Sequence, residues 1–207
     1  MQRLVDSGTS SSLARWCGIA AVAGGALFAA WGYLHRDERD LFLTKADAPL
    51  FLRLVAVLVP LLFFIALVGI CARLAGEMRF LGWIGFFLAF WGCGLGLVHG
   101  VVDDALLYGY FVERGWPGLL LRWLPSLLVG LVLVGTVAAK AKVLGCWSPL
   151  LLVAGLSGWS YYLTDVSVGT ELRTVHVVFG VLFSSCWIAI GYALGAGRDL
   201  SERGRQQ

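Results

Sequence analysis

Residues 80–101 read FLGWIGFFLAFWGCGLGLVHGV, 22 positions without a single Asp, Glu, Lys or Arg. A helix rises 1.5 Å per residue, so this run spans the ~30 Å hydrocarbon layer of a bilayer. Glycine recurs at Gly92, Gly96 and Gly100, steps of four that line one helix face with hydrogens only. Such faces let helices associate by close backbone approach where lipid offers no hydrophobic drive.

Five further runs share this apolar character: Trp16 to Leu34, Leu54 to Ala72, Gly118 to Ala139, Gly145 to Leu163 and Thr174 to Ala196. The 207-residue chain is 59% hydrophobic and 14% charged, too little polar surface for a soluble domain of this size. The runs are too long and too evenly apolar for barrel strands, which alternate over about ten residues. The reading is all-α: a polytopic transmembrane bundle of six helices. Residues 1–15 form a short N-terminal segment, 16–196 the membrane domain and 197–207 a basic tail. Ala21-Val22-Ala23 lies inside the first apolar run instead of after it, which argues against a cleaved signal peptide.

Charge sets the expected orientation. With both termini cytoplasmic, the inner segments hold nine basic residues (Arg3, Arg15, Arg73, Arg79, Lys140, Lys142, Arg198, Arg203, Arg205) against four acidic ones. The outer segments hold seven basic against nine acidic. Tight basic loops belong on the inside, so both termini are expected to be cytoplasmic. The net charge of +3 then describes an inner rim near anionic lipid, and no nucleic-acid partner is expected. Trp16, Trp83 and Trp147 fall near inner ends, and Trp31, Trp116, Trp123 and Trp159 near outer ends, as two interfacial belts. Asp103 to Pro117, with Leu106, Leu107, Tyr110 and Phe111 at helical spacing, suits either an interfacial helix or a plain outer loop.

Further small-residue faces occur at Gly25 and Gly32, and at Gly180, Ser184, Gly191 and Gly195. Pro60, near the middle of its run, removes one helical hydrogen bond and marks a place for a bend. The five cysteines follow no C-x-x-C spacing and read as small packing residues. No three-plus-three inverted repeat is visible. No ionisable side chain sits in the middle of any run, which argues against a proton-coupled pump. The mid-run hydroxyls Ser157, Ser160, Ser184 and Thr136 are expected to bond their own backbone carbonyls, not to act as nucleophiles.

All three histidines, His35, His99 and His176, fall at run ends on the expected outer side. Each shares a face with nearby glycines, and Asp103 follows His99 by four. Histidine beside a carboxylate suits metal or haem ligation, so His35, His99, His176 and Asp103 form a candidate outer-leaflet site for a metal ion or haem. The alternative is that they are interfacial or structural residues. No ligand spacing such as H-E-x-x-H accompanies them.

The phrases Gly24-Gly25-Ala26-Leu27-Phe28 to Gly32-Tyr33-Leu34-His35, and His176 to Phe183 ending Gly191-Tyr192-Ala193-Leu194, resemble those of small uncharacterised bacterial six-span integral membrane proteins. That resemblance implies a fold and a home in the bacterial cytoplasmic (inner) membrane, and no activity. The H-V-x-x-G of His176 to Gly180 is similar to a helix of haem-copper oxidase subunit III, which implies no more than an accessory role. Intramembrane zinc hydrolases of the alkaline-ceramidase and adiponectin-receptor type are similar in using several histidines, an aspartate and a serine; their paired histidines on one helix are absent here.

Three functions are therefore expected, in order. The first is a non-enzymatic accessory or scaffold subunit, in contact with the bilayer and with a membrane-protein partner or a second copy. The second is the histidine site. The third is binding or passage of a lipid-like molecule behind Pro60.

Overall fold

A computed structural model describes residues 5–38, 50–99, 101, 117–142, 145–166 and 173–196. Six α-helices account for almost all of them: α1 Val5–Glu38, α2 Leu50–Leu74, α3 Phe80–His99, α4 Pro117–Ala141, α5 Leu150–Val166 and α6 Arg173–Ala196. No strand occurs among the described residues. Five helices contain stretches long and apolar enough to cross a membrane: Ser12–Ala30, Leu54–Leu74, Phe80–Val98, Leu124–Ala141 and Thr174–Gly195. In α5 the apolar stretch Leu150–Leu163 is shorter. The expected run from Gly145 does not begin as α-helix. Gly145–Trp147 is a 3-10 turn, and α5 starts only after Pro149, whose carbonyl accepts the first bond from Val153 at 3.0 Å. Proline has no N–H and a fixed φ, so it suits a helix start better than a helix interior.

Consecutive helices pack side by side, and α6 returns to pack on α1, which closes a ring. Neighbours run antiparallel: Cys17 of α1 meets Gly69 of α2 while Gly24 meets Phe63, and Gly18 meets Gly191 while Gly25 meets Ser184. The start of α1, the end of α2, the start of α3, the end of α4, the start of α5 and the end of α6 thus share one end of the bundle. Trp16, Trp83 and Trp147 are all exposed at that end, as an interfacial belt requires.

Glycine decides how close the helices come. A Cβ at Gly18 would stand 2.6 Å from the Gly191 carbonyl oxygen, and one at Gly191 would stand 2.5 Å from that of Gly18. The same backbone-on-backbone contact joins Gly85 of α3 to Gly130 of α4, and Gly135 of α4 to Leu151 and Leu152 of α5. Between α2 and α3 no described glycine makes such an approach. That seam, the least extensive of the six, is closed by rings: Phe64 lies edge-on to Phe90 at 5.0 Å, and Phe90 lies over Phe86 at 5.9 Å.

Helix ends are tied individually. Arg73, half-buried in the last turn of α2, donates from Nη2 to the carbonyl of Leu194 at 2.8 Å, satisfying one of the open carbonyls at the end of α6. Lys142 closes α4 in a left-handed conformation (φ 53°), its N–H bonding the Ala138 carbonyl at 2.9 Å.

Candidate functional site: the histidine end and the aromatic interior

Position along the helices comes first. His35 lies in the last turns of α1, His99 ends α3 and His176 is in the first turn of α6. Because α1 and α3 run opposite to α6, all three backbone positions fall at the end away from Arg73. The side chains of His35 and His99, together with Asp103, Gly100 and the stretch Asp103 to Pro117, lie outside the described residues.

His176 is half-buried, and its ring stacks on Tyr161 of α5, with centroids 3.9 Å apart and planes 30° apart. Gly180, one turn further along α6, makes room for this: a Cβ there would stand 3.1 Å from two carbons of the Tyr161 ring. The small-residue face that carries His176 is therefore the face on which α5 lies. Among the described residues, no three His, Cys, Asp or Glu side chains come together in a way that could hold a metal ion.

From Tyr161 a column of rings runs into the bundle. Tyr161 meets Phe28 edge-on at 5.4 Å, Phe28 meets Phe183 at 4.9 Å, Phe183 meets Phe63 at 5.8 Å, and Phe63 stacks on Trp187 at 4.4 Å and 19°. Phe28, Phe63, Phe183 and Trp187 are all buried. The column ties α1, α2, α5 and α6 together where four helices could not otherwise fill the space between them. At its deep end the Trp187 indole Nε1, fully buried, has no hydrogen-bond partner among the described residues. Indole is a donor only, and leaving a buried donor unmatched costs about 1–3 kcal/mol.

The hydroxyls do what their positions led us to expect. Ser184 donates to the Gly180 carbonyl at 2.9 Å, Thr136 to Val132 at 2.8 Å, Ser157 to Ala154 at 3.1 Å and Ser160 to Leu156 at 3.2 Å. Cys17, Cys93 and Cys186 are buried, Cys71 is half-buried and Cys146 is exposed; all five are free thiols. Gly92 and Gly96 are buried on the face of α3 that continues from Gly85 and Ala89 toward α4.

One surface stands apart. Along the outward side of α3, Phe80 is 81% exposed, Trp83 53%, Phe87 67% and Trp91 55%. Phe87 and Trp91 are near parallel, at 6.4 Å and 12°. Beside them Gly94 faces open space. The outward mid-span residues of the other helices are aliphatic, such as Leu58 and Leu61 on α2, Val129 on α4, Leu156 on α5 and Val178, Val181 and Leu182 on α6.

Comparison with known proteins is silent: no protein-family model, curated protein or solved structure matches this chain. Tyr161, Trp187 and the α3 face are the features that the sequence reading missed. Trp187 and Trp91 had a signal, since they are the two tryptophans of nine that fall in neither interfacial belt.

Proposed function

We propose that this chain is an accessory or scaffold subunit of the bacterial cytoplasmic membrane, without catalytic activity of its own, and that it docks a partner helix along α3. In this reading all six helices cross the bilayer and both termini are cytoplasmic. At 17 residues, α5 measures about 25 Å and lies at the short end of spanning length; the turn bearing Trp147 extends it to the interface.

The observation that carries the docking role is Trp91. It lies 11 residues along from Phe80, about 16 Å into the span and so near mid-bilayer, with its ring outward. Tryptophan favours the interface, where its N–H meets water or headgroups. At mid-depth, acyl chains offer no acceptor. A partner helix supplies both an acceptor and a surface for the Phe87–Trp91 pair, with Gly94 as the opening beside them. The aliphatic outward faces of the other helices are those that lipid alone would cover. The resemblance to small bacterial six-span proteins supports the same setting.

The test is photocrosslinking in native membranes with a benzophenone amino acid at position 87, and at positions 156 and 178 as lipid-facing controls. A single adduct containing a second membrane protein, formed at 87 only and lost on Trp91→Leu, is expected. An adduct made solely of two copies of this chain would replace the accessory role by self-assembly. Equal, diffuse labelling at all three positions would remove the docking face altogether.

A further inference from the structure

The α2–α3 seam and the unmatched Trp187 donor belong to one device. We propose that this seam is a lateral portal through which an apolar molecule bearing a carbonyl oxygen enters from the bilayer and accepts a hydrogen bond from Trp187 Nε1. This inference is independent of the scaffold role.

Three observations converge. This seam has no described glycine bringing backbone to backbone, it is the least extensive of the six, and its closure is by the half-buried Phe64 and Phe90 with the buried Phe86 behind them. Rings turn about their side-chain bonds, whereas a backbone contact can open only if whole helices move. Next, Pro60 lies one turn before Phe64 inside α2. It withholds the N–H that the Ala56 carbonyl would otherwise accept, so bending α2 there disrupts one bond fewer. Finally, Phe63, one residue before Phe64 and about 100° round the helix from it, is the ring on which Trp187 stacks, so the unmatched donor lies on the buried side of the helix whose neighbouring face carries the portal ring.

The ligand class follows from depth and chemistry. Trp187 lies 13 residues from Thr174 and 8 from Gly195, about 20 and 12 Å from the two ends of the α6 span. Water and headgroups do not reach that depth, and saturated chains carry no acceptor. A ketone, quinone or ester oxygen on an otherwise apolar body satisfies the donor and matches the apolar walls.

The experiment uses the full-length protein in lipid nanodiscs and two photoreactive probes, a C16 methyl ketone with a mid-chain diazirine and the same molecule with a methylene in place of the carbonyl. Expected are saturable labelling of inward residues such as Leu67, Phe86 and Leu127, and an apparent affinity for the ketone about tenfold above that for the hydrocarbon, equal to one hydrogen bond to a buried donor. Trp187→Phe keeps an aromatic ring at this position, removes the unmatched N–H together with part of the indole, and should erase the preference even though the smaller ring lowers thermal stability somewhat. Phe64→Ala should speed labelling several-fold while leaving the preference intact. Equal labelling by both probes, or a preference that survives Trp187→Phe, would overturn the site. A labelling rate unaffected by Phe64→Ala would overturn the portal, and label confined to outward residues such as Leu61 and Phe87 would overturn both.

Discussion

Where α1 meets α6, backbone lies on backbone; where α2 meets α3, ring lies on ring. Inside a membrane, association cannot draw on transfer from water, so van der Waals fit and the few polar contacts must hold a bundle together. The Gly18–Gly191 contact reaches that fit by removing side chains altogether, and it leaves no slack on either helix. The Phe64–Phe90–Phe86 contact reaches it with large flat groups that turn. One seam is rigid because the backbone atoms at its closest contact cannot rotate away. The other is adaptable because the rings that close it can.

That contrast is breakable by substitution. Gly191→Ile places a branched side chain where even a Cβ would stand 2.5 Å from the Gly18 carbonyl and 2.8 Å from a Val22 methyl. A loss of about 3 kcal/mol is expected, at the upper end for overpacking because no neighbouring rotamer relieves it. Equilibrium unfolding in mixed micelles measures it, and a change below ~1 kcal/mol would show that the α1–α6 seam is as yielding as α2–α3. Arg73→Met comes next. The half-buried guanidinium ties α2 to the end of α6, so α2 is anchored at a point away from α3. Losing a charged hydrogen bond should cost about 2 kcal/mol in the same assay, and a negligible cost would leave the adaptable seam to hold α2 unaided. The smallest effect belongs to Phe64→Leu, which removes one edge-on ring pair and should cost about 1 kcal/mol. A loss as large as that of Gly191→Ile would erase the distinction between the two seams.

The apolar runs marked all six helices, five of them long enough to cross ~30 Å of hydrocarbon, because an apolar environment leaves a signal along the whole of such a helix. The return of α6 to the starting end, and the back-bonded hydroxyls of Ser184 and Thr136, followed from helix count and local chemistry. The start of α5 was also written in the chain, at Pro149, yet the apolar Gly145–Trp147 turn masked it. Which glycine meets which helix was not legible. The steps of four at Gly92, Gly96 and Gly100 named a face of α3, but not that the continuation of that face at Gly85 would meet Gly130 of α4. With 27 glycines in the chain, periodicity identifies faces without identifying partners. His176 teaches the same lesson at the candidate site. Its glycine-lined face was visible, whereas the Tyr161 ring that fills that face comes from a different helix.

Closure of the ring by α1 and α6 also sets an order of assembly. The two surfaces of that contact are separated by almost the whole chain, so α1 enters the membrane long before α6 leaves the ribosome. Until then the glycine face of α1, with Gly18 and Gly25 bare, stays open to lipid or to an insertion chaperone. A backbone-on-backbone joint of the finished protein is thus among the last to form during synthesis, and a chain stopped before Arg173 would display to the cell's quality control a surface that the mature protein hides.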